Sequence, residues 1–382
     1  MEIGERAASR SLRGTRSKIS KLCEGAGERA PLSPRTSLDS IIQPVALPMI
    51  LCLFLTSLTL PLLGTPATES HRLLFHPAEG TVIQKSFSSR VSLSANGFTV
   101  EMGGEPVPSA FLPQLVIETA RGIDVSVRDH YEAANAKRPT AIVRQYETLA
   151  GDGKLFFEAA PSEPEVSSWD AAHELEGEKV AFHWNETAQE YDREWLGRKE
   201  QPDMLDQLDA RLDLVGFVSD EEVVAGDSWD LDPMVIRKLM LPAGDLGLGL
   251  SDETDLSAVK LKDVSGDLSV TLVRMTEVDG VRVAVLSIEG EYKQEEVEAT
   301  DLSRVPVADG SATETTVTSL DVEGELQWNM DANQAFTLEL NAVLESVSET
   351  VRDPDQGGAT YSSKMNFSGK VTIEVSFETV SE

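Results

Sequence analysis

The last third of the chain alternates apolar and polar residues over long stretches. The alternation runs through 320–328, 336–340 and 365–377, with Gly369 in one apolar slot. A period of two puts apolar side chains on one face of a strand and polar ones on the other, which is typical of antiparallel strands with one solvated face. The pattern predicts a meander of about five long strands over 264–382.

Turn residues divide this region in agreement with that prediction. Asp279-Gly280 stands between the β-rich runs 268–275 and 281–288. It predicts a hairpin there, because both residues tolerate positive φ. Residues 329–334 and 352–358 are further predicted connections.

The first part of the chain has a similar pattern. β-rich or alternating segments cover 81–88, 91–102, 123–131, 140–149 and 154–159. They are separated by glycine-containing pairs and triplets that predict turns: Asn96-Gly97, Gly103-Gly104 and Gly151-Asp152-Gly153. Three prolines in 105–120 argue against a regular helix in that stretch.

The middle of the chain has a different character. Residues 179–184 and 190–194 predict a hairpin about Asn185-Glu186. Apolar residues at helical spacing after Pro202 predict a helix over 202–217, and a second short helix is predicted over 233–240. These helices are expected to cap an open edge or face of a sheet.

The patterns together predict a mainly β or α+β fold with large antiparallel β-sheets of long hairpins and a short helical insertion at about 200–242. Four segments follow along the chain. They are a signal peptide with a long basic n-region (1–67), an N-terminal β-rich half (68–165), a mixed hairpin and helical middle segment (166–250) and a C-terminal antiparallel meander (251–382). Whether the two β-rich halves are homologous or share one sheet is left open by the sequence.

A targeting segment precedes the β-rich region. Residues 50–63 carry no charge, a basic stretch lies upstream, and the small-residue segment 64–67 follows. This layout predicts a secretory signal peptide cleaved after Ala67, and hence export to the periplasm, the cell envelope or the medium. The alternative is an uncleaved membrane anchor at 45–63, and the true translation start is open.

Charge excludes one class of partner. The chain has 33 Lys and Arg against 65 Asp and Glu, a net charge of −32. Eight of the basic and five of the acidic residues precede residue 68, which leaves 25 against 60, or −35, for the remainder. Such a field repels nucleic acids and anionic lipid surfaces, so no nucleic-acid partner is expected. Solubility or weak association with divalent cations are the alternatives.

Cysteine content argues against disulfides. The two cysteines, Cys23 and Cys52, lie within 1–67. A chain that begins near residue 68 therefore has no disulfide, thiol nucleophile or cysteine metal site.

One motif resembles a catalytic signature. Gly226-Asp227-Ser228-Trp229 is similar to the Gly-Asp-Ser hydrolases, which place the serine at the start of an α/β domain and supply a downstream histidine. Here all the histidines precede Ser228: His71, His76, His130, His173 and His183. A serine nucleophile needs a base, so we interpret the motif as a turn that delivers Trp229 to the core.

The residues that could form metal or sugar sites do not show the required spacing. The histidine spacings do not give a helix-face pair. Asp353, Asp355 and Gly357-Gly358 resemble the start of a calcium loop, but Lys364 stands where such a loop needs Glu. Trp169, Trp184, Trp195 and Trp229 are interpreted as packing residues rather than a sugar cleft. No catalytic, cofactor-binding or metal-binding residue is therefore assigned.

Two sequence segments resemble those of a known family. VVAGDSW (223–229) and EGELQWNMDANQAFTLELNAVLES (323–346) resemble uncharacterised exported bacterial β-sheet proteins, a family of unknown function. The plan of the chain is also loosely similar to the half-barrels of periplasmic lipoprotein carriers, in which helices cover a curved antiparallel sheet. Architecture does not imply function, and neither resemblance assigns a site residue.

The main hypothesis is an exported, non-enzymatic envelope protein whose apolar sheet face forms a closed core or a groove for an apolar ligand or partner. One alternative is a structural acidic surface protein that associates with cations. The other is a hydrolase of envelope polymers. The oligomeric state and the ligand stay open.

Overall fold

A computed structural model shows that the protein consists mainly of long antiparallel strands. The structure describes residues 69–135, 138–160, 163–197, 202–242, 244, 246, 248, 259–301, 311–353 and 360–380. The predicted signal peptide at 1–67, with Cys23, Cys52 and the expected cleavage after Ala67, lies outside these residues. Glu69–Glu382 forms one compact unit.

Strands and short helices follow one another along the described residues. The strands are β1 (His71–Arg72), β2 (Val82–Met102), β3 (Glu105–Pro106), β4 (Leu115–Ala134), β5 (Pro139–Ala159), β6 (Glu165–Ala172), β7 (Lys179–Asn185), β8 (Glu190–Leu196), β9 (Glu222–Val223), β10 (Ser228–Asp230), β11 (Val259–Val278), β12 (Val281–Asp301), β13 (Ser311–Asn329), β14 (Gln334–Asp353) and β15 (Tyr361–Val380). The α-helices are α1 (Pro202–Leu205) and α2 (Pro233–Met240), and short 3-10 turns cover Ser109–Phe111 and Val215–Phe217.

One antiparallel sheet joins both β-rich parts of the chain. Within the described residues it has 13 strands in the order β10-β11-β12-β13-β14-β15-β2-β4-β5-β7-β8, with β3 attached to β2 and β6 to β5. β1 and β9 form a separate two-stranded sheet. β15 pairs with β2 from Val380 opposite Val82 to Tyr361 opposite Met102. The first long strand of the N-terminal half and the last strand of the C-terminal half are therefore direct neighbours in one sheet.

The mainly β fold with long hairpins is confirmed. The predicted C-terminal meander consists of the five strands β11 to β15. Asp279 and Gly280 both have positive φ, 52° and 83°, as the predicted hairpin turn requires. β13 ends at Asn329 and β14 begins at Gln334, so the predicted connection at 329–334 is also present. Most of the predicted loop at 352–358 lies outside the described residues.

Two of the predicted turns in the first half are wrong. Asn96-Gly97 lies inside β2, and Gly151-Asp152-Gly153 lies inside β5. Gly153 pairs with Trp169 of β6, and a Cβ at Gly153 would overlap the indole of Trp169. The glycine is in the strand because a large side chain lies directly over its backbone, which is a known role of glycine in strands.

The middle segment contains less helix than predicted. The hairpin about Asn185 is confirmed as β7 and β8, and the short helix over 233–240 is confirmed as α2. The predicted helix over 202–217 is wrong, because the helix ends at Leu205 and Leu214 has a left-handed backbone with φ of 57°. We call residues 204–217 the covering segment.

The sheet is curved toward one face, which we call the inner face and which carries the buried residues Phe87, Val125 and Val375. Arg144 of β5 donates a hydrogen bond to the Asp209 carbonyl, Lys238 of α2 pairs with the Asp209 side chain, and α2 packs against β12. The strands β5 and β12 are six pairings apart in the sheet. Neighbouring strands lie about 4.8 Å apart, so in a flat sheet β5 and β12 would be separated by about 29 Å. These contacts therefore indicate that the sheet is curved.

The core occupies only part of the length of the long strands. In β15, Val371, Ile373, Val375 and Phe377 are buried, whereas Met365 and Phe367 in the same inward register are half-buried. The buried half of the sheet is covered by the covering segment and α2, whose Leu208, Leu212 and Leu239 belong to the same apolar cluster.

Three ionised side chains lie within this core. Lys85 of β2, Asp129 of β4 and Arg144 of β5 stand on adjacent strands, and their side chains are at most 1% exposed. Arg144 donates from Nε and Nη2 to the two oxygens of Asp129 at 2.7 and 2.9 Å. Lys85 Nζ donates to Asp129 Oδ2 at 2.8 Å and to the Tyr131 hydroxyl at 2.7 Å. We call these three residues the buried ion cluster.

Aromatic rings surround the ammonium of the cluster. Lys85 Nζ lies 5.2 Å from the ring centre of Phe377, 5.3 Å from that of Tyr131 and 5.8 Å from that of Phe75. Aromatic faces attract cations within about 6 Å. The rings therefore recover part of the solvation that Lys85 loses on burial.

The cluster sets the pKa values of its own members. Burial alone would raise the pKa of Asp129, but Arg144 and Lys85 together lower it to about 2. Burial lowers the pKa of Lys85, although Asp129 opposes that effect. Asp129 is therefore a carboxylate at neutral pH and accepts hydrogen bonds from both buried basic side chains.

The first prediction concerns the removal of the central charge. Asp129→Asn leaves Lys85 and Arg144 buried without their counter-ion, and a broken buried ion pair costs about 3–5 kcal/mol. We expect the free energy of unfolding, measured by urea denaturation, to fall by that amount.

The matched control is Asp124→Asn on the same strand. Asp124 pairs with Arg90 at 2.7 Å, but both side chains are more than 40% exposed. Removal of an exposed pair costs less than about 1 kcal/mol. Equal losses in the two variants would contradict a structural role for the buried ion cluster.

The second prediction concerns acid. The pKa of Asp129 is about 2 in the folded protein and that of an unperturbed Asp is about 3.9. Its stabilising contribution is therefore complete above about pH 4 and is lost as the pH falls toward about 2. Urea denaturation should show a stability difference between wild type and Asp129→Asn that shrinks by about 2–3 kcal/mol across this window. A difference that is constant from pH 5 to pH 2 would show that Asp129 is not ionised in the fold.

Candidate functional site

Two arginines hold the covering segment over the inner face of the sheet. Arg144 of β5 donates from Nη1 to the Asp209 carbonyl at 2.7 Å and from Nη2 to the Ala210 carbonyl at 2.9 Å. Arg193 of β8 donates from Nε to the Leu208 carbonyl at 2.9 Å. Three successive carbonyls thus bind side chains of the sheet rather than amides of a helix. These contacts and the left-handed backbone of Leu214 stand in place of the helix that the spacing of 202–217 predicts.

Helix α2 lies beside the covering segment and packs against β11 and β12. Pro233 starts the helix, and Asp232 caps it by accepting a hydrogen bond from the Met234 amide at 2.9 Å. Ile236 and Leu239 are buried. Lys238 Nζ lies 3.5 Å from Asp209 Oδ2, which joins α2 to the covering segment.

An open cleft remains between the covering segment, α2 and the sheet. Its volume is about 270 Å³. Side chains of all three elements form its apolar wall: Phe87, Leu212, Leu214, Val235, Leu239 and Leu241. Val215 and Met234 lie at the cleft with 39% and 37% of their surfaces exposed. We call this cavity the apolar cleft.

Polar groups of the covering segment and of α2 lie beside the apolar wall. Asp209, Arg211, Asp213 and Lys238 also line the apolar cleft. Burial raises the pKa of Tyr191 to about 12, and Asp213 adds to the rise. The neutral Tyr191 hydroxyl donates to the Pro139 carbonyl at 2.7 Å. The arrangement fits the binding of a small molecule, because concave sites are usually apolar with a few polar groups.

The Gly-Asp-Ser-Trp motif forms a turn before β10. Gly226 has φ of 97°, and Asp227 accepts a hydrogen bond from the Val224 amide at 2.8 Å. The Ser228 hydroxyl is exposed and lies 2.7 Å from the Thr271 hydroxyl. The Trp229 indole donates to the Phe217 carbonyl at 3.1 Å and packs against the core. The structure therefore shows the turn that delivers Trp229.

The histidines are distributed over separate elements. His71 is in β1, His130 in β4 and His183 in β7, whereas His173 follows β6 and its Nδ1 accepts a hydrogen bond from the Leu175 amide. Burial lowers the pKa of His173. In the described part of the chain no three His, Cys, Asp or Glu side chains are arranged to hold a metal ion. Asp355 and Gly357-Gly358 lie outside that part, and Lys364 is in β15.

The four tryptophans of the middle segment lie on four different strands. Trp169 is in β6 over Gly153, and Trp195 in β8 is buried. Trp184 in β7 contacts Tyr191 edge-to-face and has the Arg138 guanidinium 3.9 Å from a ring centre. Trp229 in β10 packs against the core. Each ring has a packing partner.

Sequence reasoning missed both the buried ion cluster and the apolar cleft. A signal for the cluster is present, because Lys85, Asp129 and Arg144 interrupt the apolar register of three strands. The apolar cleft has no comparable signal, because its wall combines a strand, an irregular segment and a helix.

Comparisons with known proteins give no family. No family model and no curated protein matches the chain. No helix among the described residues has the length and apolar character to cross a membrane.

Solved structures with weak similarity include OccK7 (OpdD) of Pseudomonas aeruginosa, at 9% identity, a TM-score of 0.18, and coverage of 78% of this chain and 99% of that one. The InvG secretin domain β-barrel from the Salmonella SPI-1 injectisome matches at 7% identity and a TM-score of 0.14, over 80% of this chain and 64% of that one. A mutant Rh. blastica porin matches at 10% identity and a TM-score of 0.14, over 76% and 99%. Similarity at these TM-scores establishes neither a shared fold nor a family.

Proposed function

We propose that the protein is an exported, non-enzymatic binding protein that holds a small apolar ligand in the apolar cleft. The observation that carries this proposal is the open, largely apolar wall between the covering segment, α2 and the sheet. Export is proposed from the uncharged run 50–63 with its basic upstream flank and small-residue end.

Solvent exposure of two large side chains supports this proposal. Val215 and Met234 are exposed at the cleft, although buried apolar positions are close to both in sequence at Leu214 and Ile236. Exposed apolar side chains that border a concave wall are typical of a ligand site. A bound apolar group would remove them from water.

The size of the cleft favours a small ligand. A volume of about 270 Å³ lies just below the range of about 300–1,000 Å³ that is usual for sites that bury most of a drug-sized molecule. The cleft therefore suits one short alkyl chain or one small ring system rather than a large lipid with several chains.

The third prediction tests the cleft with a neutral probe. Val215→Glu places a charge at the apolar wall, where it must be desolvated when an apolar molecule binds. We expect the affinity for N-phenyl-1-naphthylamine, measured by fluorescence titration, to fall about tenfold, which corresponds to about 1.4 kcal/mol.

Val343→Glu is the matched control. Val343 is in β14 and is 55% exposed. The same substitution there should change the affinity for the probe by less than about twofold, because an exposed surface substitution away from the site is nearly neutral. Equal losses in both variants, or no binding by the wild type, would refute the proposed function.

The fourth prediction concerns the mass of the protein when it is purified from its own host. Native mass spectrometry should give a chain that starts near Thr68 and an excess mass that leaves on denaturation. An intact 1–67 segment would contradict cleavage. A bare polypeptide mass would favour a structural or interaction role.

A further inference from the structure

A second pocket adjoins the apolar cleft. It has a volume of about 320 Å³ and is lined by the three cations Arg193, Arg237 and Lys238 together with Asp209. The two cavities share part of their lining: Asp209, Met234, Lys238 and Leu241. A molecule in the apolar cleft is therefore next to the cationic side chains. We call the second cavity the cationic pocket.

The charge of this pocket is opposite to that of the protein. Residues 68–382 contain 25 basic and 60 acidic side chains, yet among the described residues the charged lining of the pocket is three cations and one carboxylate. Cations gathered in a concave surface of an acidic protein produce a local positive potential, because the low-dielectric walls focus their field.

Within the part of the chain that the structure describes, each of these cations keeps donors that have no acceptor. Arg193 uses Nε and Nη1 for the Leu208 and Tyr191 carbonyls, and among the described residues its Nη2 has no acceptor. Arg237 donates from Nη1 to Gln294 Oε1 at 3.0 Å. Lys238 Nζ lies 3.5 Å from Asp209 Oδ2 and forms an ion pair with it. Among the described residues Lys238 Nζ donates no hydrogen bond.

Two of the three cations have a carboxylate partner. Glu296 lies 3.7 Å from Arg237 and accepts a hydrogen bond from Gln294 at 2.6 Å. Lys238 lies 3.5 Å from Asp209. Arg193, by contrast, donates hydrogen bonds to carbonyls only within the described part of the chain.

We infer that the ligand is an anionic amphiphile whose apolar part lies in the apolar cleft and whose anionic group lies against Arg193, Arg237 and Lys238. This inference rests on the proposed function and adds the charge of the ligand. The matching chemistry is a carboxylate, phosphate or sulfate on a short apolar chain, because arginine forks bind planar or tetrahedral oxyanions through paired hydrogen bonds.

The fifth prediction compares matched probes on the purified protein by isothermal titration calorimetry. The probes are decanoate, 1-decanol with the same chain length and no charge, and acetate as the anionic group alone. The wild type should bind decanoate about tenfold or more tightly than 1-decanol, because hydrogen bonds to charged groups contribute about 1.5–3 kcal/mol. Acetate should bind far more weakly than decanoate.

The variant Arg237→Gln isolates the contribution of charge, because Arg237 lines the cationic pocket but not the apolar cleft. It should weaken decanoate binding by about fivefold or more and leave 1-decanol within about twofold of the wild-type value. Retained binding of 1-decanol also shows that the variant is folded. The control is Lys370→Gln, which removes the same charge from an exposed position of β15. It should leave both affinities unchanged.

The outcomes separate this inference from the proposed function. If the wild type binds neither decanoate nor 1-decanol, the proposed function fails and the inference with it. If 1-decanol binds and decanoate binds no more tightly, the cleft holds an apolar ligand and the inference alone is wrong. If acetate binds as tightly as decanoate, the cationic pocket is a site for free anions and the amphiphile is excluded.

Discussion

The fold depends on one buried carboxylate. Asp129 lies between the guanidinium of Arg144 and the ammonium of Lys85, with N–O distances of 2.7 to 2.9 Å. Burying these charges is expensive, and their attraction compensates only because the hydrogen-bond geometry is good. The carboxylate fixes Arg144, and Arg144 in turn binds the carbonyls of Asp209 and Ala210. The interior of the sheet is thereby connected to the segment that covers it.

This connection also determines the shape of the cleft. The covering segment is not a regular helix, because its carbonyls bind side chains of the sheet and Leu214 has a left-handed backbone. An irregular segment and a helix of eight residues, Pro233–Met240, do not interdigitate as two helices would. The gap between them is the apolar cleft, and its adjoining rim carries Lys238. The same arginine that stabilises the fold therefore positions the wall of the proposed site.

The strands were predictable and the covering layer was not, for physical reasons. Residues 365–377 alternate because one face is buried and the other solvated, and Pro233 marks α2 locally. By contrast, Gly153 is inside a strand because Trp169 packs over it, which is a contact between two strands. The buried ion cluster is visible only as charges that interrupt an apolar register. Helix propensity is a property of the local sequence, and it cannot predict the long-range hydrogen bonds that determine the structure here.

The distribution of charge reconciles an acidic protein with an anionic ligand. In the sheet, Glu339 is directly opposite both Glu374 and Glu325, an arrangement in which like charges repel one another. At physiological ionic strength exposed charges are screened beyond about 8 Å. The cationic pocket differs from that surface, because three basic side chains, Arg193, Arg237 and Lys238, line it together. For the proposed anionic ligand, the local charge at the pocket therefore matters more than the net charge of the chain.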